Sequence, residues 1–321
     1  MNVQPPVPGA KLLSLGDYQP STVVTNADLA ARMDTNDEWI RSRVGVASRR
    51  VAGPEESVPD MAVAAGGKAL AASGLAPADV DLVIVATCTM PTPIPSAAAQ
   101  VAARLGIKAP GAYDVNAACA GFCYGLSAAS SAITSGQATN ALVIGAEKLT
   151  DWVDPTDRST AIIFADGAGA AVLGPAATPE EVGVGPVAWG STGEGVDLIA
   201  IPSRTGFLGQ EGQAVFRWAT TALAPVALEA CRKAGIAPAD LAAFVPHQAN
   251  LRIIEAIARK LGATNAKVAD DIVEAGNTSS ASVPLALARM AARGEVRSGD
   301  PVLLLGFGAG LTYAGQVVLC P

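Results

Sequence analysis

Short apolar runs of strand length alternate along this chain with longer stretches whose apolar positions recur every three or four residues. The runs Asp81–Thr87, Asn140–Gly145, Leu241–Pro246 and Pro301–Leu305 predict buried strands. Met61–Ala72 and Arg217–Ala234 are Ala-rich with helical spacing, and each ends before a glycine, Gly74 or Gly235, suited to a C-terminal cap. Val115–Ala146 carries no charge and is long enough to cross a bilayer. It is nevertheless rich in Asn, Gly, Ser, Thr and Gln, with turn chemistry at Ser135-Gly136, and predicts a buried strand–helix–strand. Alternation of this kind predicts α/β architecture, with sheets covered by helices on both faces.

The pattern repeats. GLAPADVDLVIVA from Gly74 resembles GIAPADLAAFVPH from Gly235, an offset of 161 residues. The same offset of 161 carries Asn116-Ala-Ala-Cys119 onto Asn277-Thr-Ser-Ser280 and Leu142-Val-Ile-Gly145 onto Leu303-Leu-Leu-Gly306. Three matches in one register predict two duplicated halves, residues 1–180 and 181–321, joined near Gly174 to Pro186. Stacked face to face, they would make a five-layered αβαβα block.

Composition narrows the function classes. Half of the 321 residues are hydrophobic and 16% are charged, the reverse of a disordered chain. A net charge of −7 argues against nucleic acid as a partner, so a polyanion must be met by a local cationic patch. Five cysteines with no CxxC pair predict neither a disulfide framework nor a zinc site, and no metal is expected. The N-terminus lacks a signal-peptide pattern, so a soluble, cytoplasmic protein is expected. There is one histidine, His247.

Cys119 lies where a strand gives way to a helix beginning near Ala120, so the helix terminus should favour its thiolate. The other cysteines, Cys88, Cys123, Cys231 and Cys320, read as core. His247 follows the strand Leu241–Pro246, and carboxyl ends of strands are where ligands bind in α/β sheets. Asn277 is the repeat equivalent of Asn116, so two elbows related by the duplication could meet at one site. Each position also has a plain structural reading: a buried thiol, a sheet-edge histidine, a helix-capping asparagine. The glycine runs Asp166–Ala170 and Gly306–Gly310 lack the G-x-G-x-x-G pattern and its acidic partner. They predict close backbone approach or, at Gly306–Gly310, N–H donors near a reacting carbonyl.

Across nearly its whole length the chain resembles the thiolase superfamily, specifically β-ketoacyl-acyl carrier protein synthase III of the actinobacterial type. The resemblance runs through DEWIRSRVG, NAACAGF, DPTDRST, ADGAGAAVLG, PHQANLRII, GNTSSASVP and GFGAGLTYAG. It implies a thiolase-like fold and a decarboxylative Claisen condensation that initiates fatty acid synthesis, with Cys119, His247 and Asn277 as a catalytic Cys-His-Asn triad. Cys119 would take the acyl group of an acyl-CoA, and malonyl-acyl carrier protein would then lose CO2 to an enolate held by neutral His247 and Asn277. By the same resemblance, the backbone N–H groups of Cys119 and Ala309 form an oxyanion hole. Thr35, Trp39, Arg43, Arg158, Gly212, Phe216, Asn250 and Arg252 bind CoA, which is a substrate and not a resident cofactor. Ile94 and Phe307 belong to the acyl pocket, Ile94 reaching across a homodimer interface. Arg217, Arg252, Arg259 and Lys260 form a basic docking patch for the acidic carrier protein.

Three features depart from the family pattern: Ala309 and Ala165 stand where glycine is common, and the segment from Gly195 to Gly212 is several residues shorter. A degradative thiolase is disfavoured because GFGAG holds no second cysteine. A chalcone-synthase-like enzyme is disfavoured by the DEWI segment, and a catalytically silent subunit by the intact triad. The alternative is a starter-unit priming ketosynthase, or an acyltransferase, of polyketide or specialised metabolism.

Overall fold

The computed structural model describes residues 7–203 and 205–321. Each of two five-stranded sheets draws its strands from its own stretch of the chain, Gly9–Ala176 or Ala188–Leu319. The first runs in the spatial order Gly9–Tyr18, Asp166–Ala176, Ala141–Lys148, Leu82–Ala86, Gly111–Val115. The second runs Ala188–Ser191, Thr312–Leu319, Pro301–Gly308, Ala243–Pro246, Lys267–Val268. In both, the last three strands of that order are parallel and the second is antiparallel to its neighbours. The predicted strands are present, and so is the duplication. The central strands are buried on both faces, which is why they read as unbroken apolar runs.

Three cores separate the layers. Helices Val58–Ser73 and Ala97–Arg104 pack on the outer face of the first sheet through Met61, Ala65 and Val101 against Val83, Leu142 and Ile144. Helices Gly212–Ala234 and Leu251–Leu261 do the same on the second, through Leu223, Ile253 and Ile257 against Phe244, Leu303 and Leu305. Between the sheets lie helices Gly121–Thr134 and Ser282–Ala292, where Leu126, Val283 and Leu287 meet the inner faces of both sheets. This is the expected thiolase-like αβαβα order. Gly74 and Gly235 end equivalent helices in the left-handed conformation, with φ of +74° and +69°. One expectation shifts: Gly174 lies within the strand Asp166–Ala176, so the two sheets are joined after it.

The central layer sets the spacing of the block. A Cβ on Gly145 would lie 2.4 Å from the Ser280 carbonyl oxygen, and one on Gly306 would lie 2.9 Å from Ala120 Cα. Gly145 and Gly306 are repeat equivalents, and each receives the turn that leads into the other half's central helix. The glycines of Asp166–Ala170 act similarly, since a Cβ on Gly169 would lie 2.4 Å from Leu285 N. Gly145→Ala should therefore destabilise the chain by about 2 kcal/mol, the usual cost of overpacking a tight core. Denaturant unfolding measures it, and an unchanged midpoint would show that the turn yields freely.

Candidate active site

The two turns that press on those glycines bring in two of the residues singled out from the sequence, Cys119 within the first and Asn277 just before the second. The strand Gly111–Val115 leads into the tight helical turn Ala118–Ala120, with Ala118 at φ 45°. In the second half Ser279–Ala281 form the equivalent turn, with Ser279 at φ 50°. Non-glycine residues in this left-handed region are strained, and here both sit at one position of the repeat. An asparagine stabilises each turn. Asn116 Oδ1 accepts the Ala118 N–H (3.2 Å), and Asn277 Oδ1 accepts the Ser279 N–H (2.8 Å). With its oxygen committed, Asn277 has its Nδ2 donors left for the cavity it lines.

That cavity has a volume of about 880 Å³ and brings together Cys119, His247 and Asn277 with Phe307 and Ala309. His247 leaves the strand Ala243–Pro246, its N–H bonded to Leu305 O (2.7 Å). Its ring is 2% exposed, stands edge-on to Phe307 at 5.2 Å, and holds Ser282 Oγ at 2.7 Å from Nδ1. Burial pushes its pKa down to about 3, so the imidazole is neutral across the physiological range.

Cys119 does not behave as its helix-terminal position predicts. Burial pushes the thiol up to about 12, against hydrogen bonds from Ser279 and from the N–H groups of Cys119 and Ala309, while the nearby Glu147 carboxylate adds to the rise. Desolvation outweighs the helix terminus, a correction to the thiolate expectation. Ala309 lines the cavity together with Cys119, so the turn that holds it accepts a Cβ. A Cβ on Gly308 would lie 2.7 Å from Cys119 Cβ, which is why that position stays bare.

The mouth of the cavity is cationic and aromatic. Trp39 lies on helix Asp37–Val44, with the Arg43 guanidinium 5.8 Å and the Arg158 guanidinium 4.7 Å from its ring centroid. Arg252 covers the Phe216 ring at 5.3 Å. Asn250 caps helix Leu251–Leu261 and donates from Nδ2 to Arg43 O (3.2 Å), tying the two sides of the mouth together. Trp39, Arg43, Gly212, Phe216, Arg217, Asn250 and Arg252 all line the cavity. Thr35 and Arg158 do not, although the Arg158 guanidinium lies over the Trp39 ring. Arg158 is held by Asp34 O at 2.7 Å. Arg259 leans on Glu255 (3.8 Å) and Lys260 donates to Thr220 O, both away from the cavity. Ile94 is 80% exposed and lines no part of its own chain's cavity.

Two participants were not foreseen. Cys88, read from sequence as core, lines the cavity, because the strand before it ends at Ala86 and its Sγ lies 3.4 Å from Glu147 Oε1. Glu147 itself is fully buried and accepts from the hydroxyls of Thr87 (3.1 Å), Thr89 (2.6 Å), Ser279 (3.0 Å) and Ser280 (2.8 Å), and from the Cys88 N–H (3.0 Å). Its only sequence signal was an acid closing an apolar strand.

Comparison with known proteins agrees with this arrangement. Residues 113–193 match the family described as 3-oxoacyl-(acyl-carrier-protein, ACP) synthase III, and residues 231–320 match its C-terminal counterpart. The chain is 55% identical to beta-ketoacyl-(acyl-carrier-protein) synthase III 4 of Streptomyces coelicolor, covering 98% of this chain and 99% of that protein. Among solved structures it resembles the priming beta-ketosynthase of the R1128 polyketide biosynthetic pathway, with a TM-score of 0.95 and 42% identity over 99% of this chain and 98% of that one. It also resembles the 3-oxoacyl-(acyl-carrier-protein) synthase III of Aquifex aeolicus, with a TM-score of 0.93 and 40% identity over 97% of this chain and 100% of that one. The chain belongs to the 3-oxoacyl-(acyl-carrier-protein) synthase III family of acyl-transferring condensing enzymes.

Proposed function

We propose that this chain joins an acyl-CoA starter to malonyl-acyl carrier protein by decarboxylative Claisen condensation, giving a β-ketoacyl-acyl carrier protein. The observation that carries this reading is the meeting of a partly buried thiol, a neutral imidazole and the N–H donors of a carboxamide in one cavity with a cationic, aromatic mouth. Cys119 sulfur attacks the thioester carbonyl, the bond to CoA sulfur breaks, and CoA leaves with the thiol proton. The N–H groups of Cys119 and Ala309 hold the carbonyl oxygen as it gains charge. Malonyl-acyl carrier protein then loses CO2, and the enolate oxygen accepts from His247 and Asn277 Nδ2. The enolate carbon attacks the acyl-Cys119 carbonyl, forming the carbon–carbon bond and releasing the sulfur. Neutral donors suit this step because no uncompensated charge has to be buried between turnovers.

At the mouth, the nucleotide of CoA stacks on Trp39, Arg43 and Arg252 take its phosphates, and Asn250, Gly212 and Phe216 line its path. Arg158 supports Trp39 from over the indole face, and Thr35 precedes the helix that carries it. Arg217, Arg252, Arg259 and Lys260, on the packed helices Gly212–Ala234 and Leu251–Leu261, meet the acidic carrier protein. The chain works as a homodimer in which Ile94 reaches the partner's acyl pocket; the free edge of strand Gly111–Val115 and the exposure of Ile94 and Tyr113 support this reading. Resemblance to the R1128 priming beta-ketosynthase supports a second reading, in which the same chemistry primes polyketide synthesis.

Intact-mass analysis with a panel of acyl-CoAs should give an acyl adduct that Cys119→Ala abolishes and that malonyl-acyl carrier protein discharges with release of CO2. An adduct surviving Cys119→Ala would overturn the nucleophile, and discharge without CO2 would favour plain acyl transfer. His247→Ala should slow decarboxylation by about 100-fold and acylation far less. The half-reactions should also differ in pH dependence. Acylation should rise toward alkaline pH because the thiol near 12 is protonated throughout the assay range, whereas decarboxylation should stay flat between about pH 5 and 9. A decarboxylation midpoint near 6.5, the ordinary histidine value, would show a solvated imidazole. Sedimentation at micromolar concentration should give a dimer; a monomer would reject the shared pocket.

A further inference from the structure

A neutral imidazole has one N–H, and only one of its two tautomers turns that proton to the cavity. Nδ1 of His247 faces Ser282 Oγ at 2.7 Å, which leaves Nε2 for substrate. A serine hydroxyl can donate or accept, so this contact alone does not fix the proton. The Gln248 N–H, which can only donate, reaches the same Ser282 Oγ at 3.2 Å and takes one of its two lone pairs. Ser282 Oγ therefore accepts from Gln248. Among the described residues its own proton has one acceptor, His247 Nδ1. Ser282 is 2% exposed, so no competing solvent satisfies that hydroxyl.

We infer that Ser282 is a positioning residue that holds His247 in the tautomer with its proton on Nε2. This rests on the enolate-donor role given to His247 above. The duplication supplies an independent observation. Ser282 and His247 lie 161 residues beyond Gly121 and Ala86, and those two also touch, since a Cβ on Gly121 would lie 3.0 Å from the Ala86 Cβ. The paired positions thus carry a hydroxyl and an imidazole in one half, and neither in the other. Ser282 also opens the helix Ser282–Ala292, whose positive end disfavours an imidazolium beside it.

The single histidine makes the test direct, because ¹⁵N-histidine labelling of the untagged protein reports one ring only. The wild type should show a protonated Nε2 and an acceptor-type Nδ1. Ser282→Ala should move the Nδ1 resonance toward an unbonded nitrogen and bring in the Nδ1–H form. Malonyl decarboxylation should fall by about tenfold, the scale of one lost hydrogen bond, while acylation of Cys119 holds; the unfolding midpoint should drop because the buried Gln248 N–H loses its acceptor. Ser282→Thr, which keeps the hydroxyl, should restore both spectrum and rate, and stands in if the alanine variant does not fold. A wild-type Nδ1–H tautomer, or an Ser282→Ala protein with unchanged spectrum and rate, would overturn the assignment. So would equal loss of acylation and decarboxylation in a folded Ser282→Ala protein, which would mark a structural role. If the wild type neither takes an acyl group nor releases CO2, the proposed reaction falls instead, and the spectrum still decides the tautomer.

Discussion

Gly145 and Gly306 admit the backbone of a neighbouring turn where any side chain would collide, and the site depends on that closeness. Each glycine sits in the sheet of one half and receives the turn of the other. The halves are therefore interlocked at the depth where Cys119 and Asn277 emerge. Bringing the thiol of one turn and the carboxamide of the other into a shared cavity needs no long or mobile loop. It needs two backbones held at contact distance, in a core as densely packed as an organic crystal.

The same packing explains the electrostatics. A site this enclosed cannot hold free charge cheaply, and its reacting groups are neutral at rest: a protonated thiol, a neutral imidazole and an amide. Charge is confined to the mouth, where Arg43 and Arg252 lie against aromatic rings, and to Glu147, whose oxygens are filled by donors. Cys119 shows the consequence most clearly. Its place before a helix suggested an acidic thiol, but desolvation in the cavity holds the proton on the sulfur.

Much of this was legible in the sequence. Apolar runs marked the strands because both faces of each sheet are covered, and the offset of 161 residues disclosed the duplication. Cys119, His247 and Asn277 could be picked out because each stands at the carboxyl end of a strand or in a turn related by that offset. What stayed hidden depends on three dimensions. Cys88 looked like core because nothing in a linear chain reveals that its strand stops two residues earlier. The strand expected to end at Gly145 continues to Lys148, since hydroxyls from distant segments satisfy Glu147. Ser282 carried no signal until the fold set its hydroxyl against His247 Nδ1.

The ring of donors around Glu147 bears on how the chain holds together. Thr87, Thr89 and Cys88 come from the first half, Ser279 and Ser280 from the second, and all converge on one carboxylate with no cation among these contacts. Were the second half to swing away, the carboxylate would lose two hydroxyls while still walled in by apolar strands. A partly opened molecule is thereby penalised relative to both the intact and the fully unfolded chain. The two repeat-related segments thus share one buried carboxylate, an arrangement that favours their opening together over one at a time.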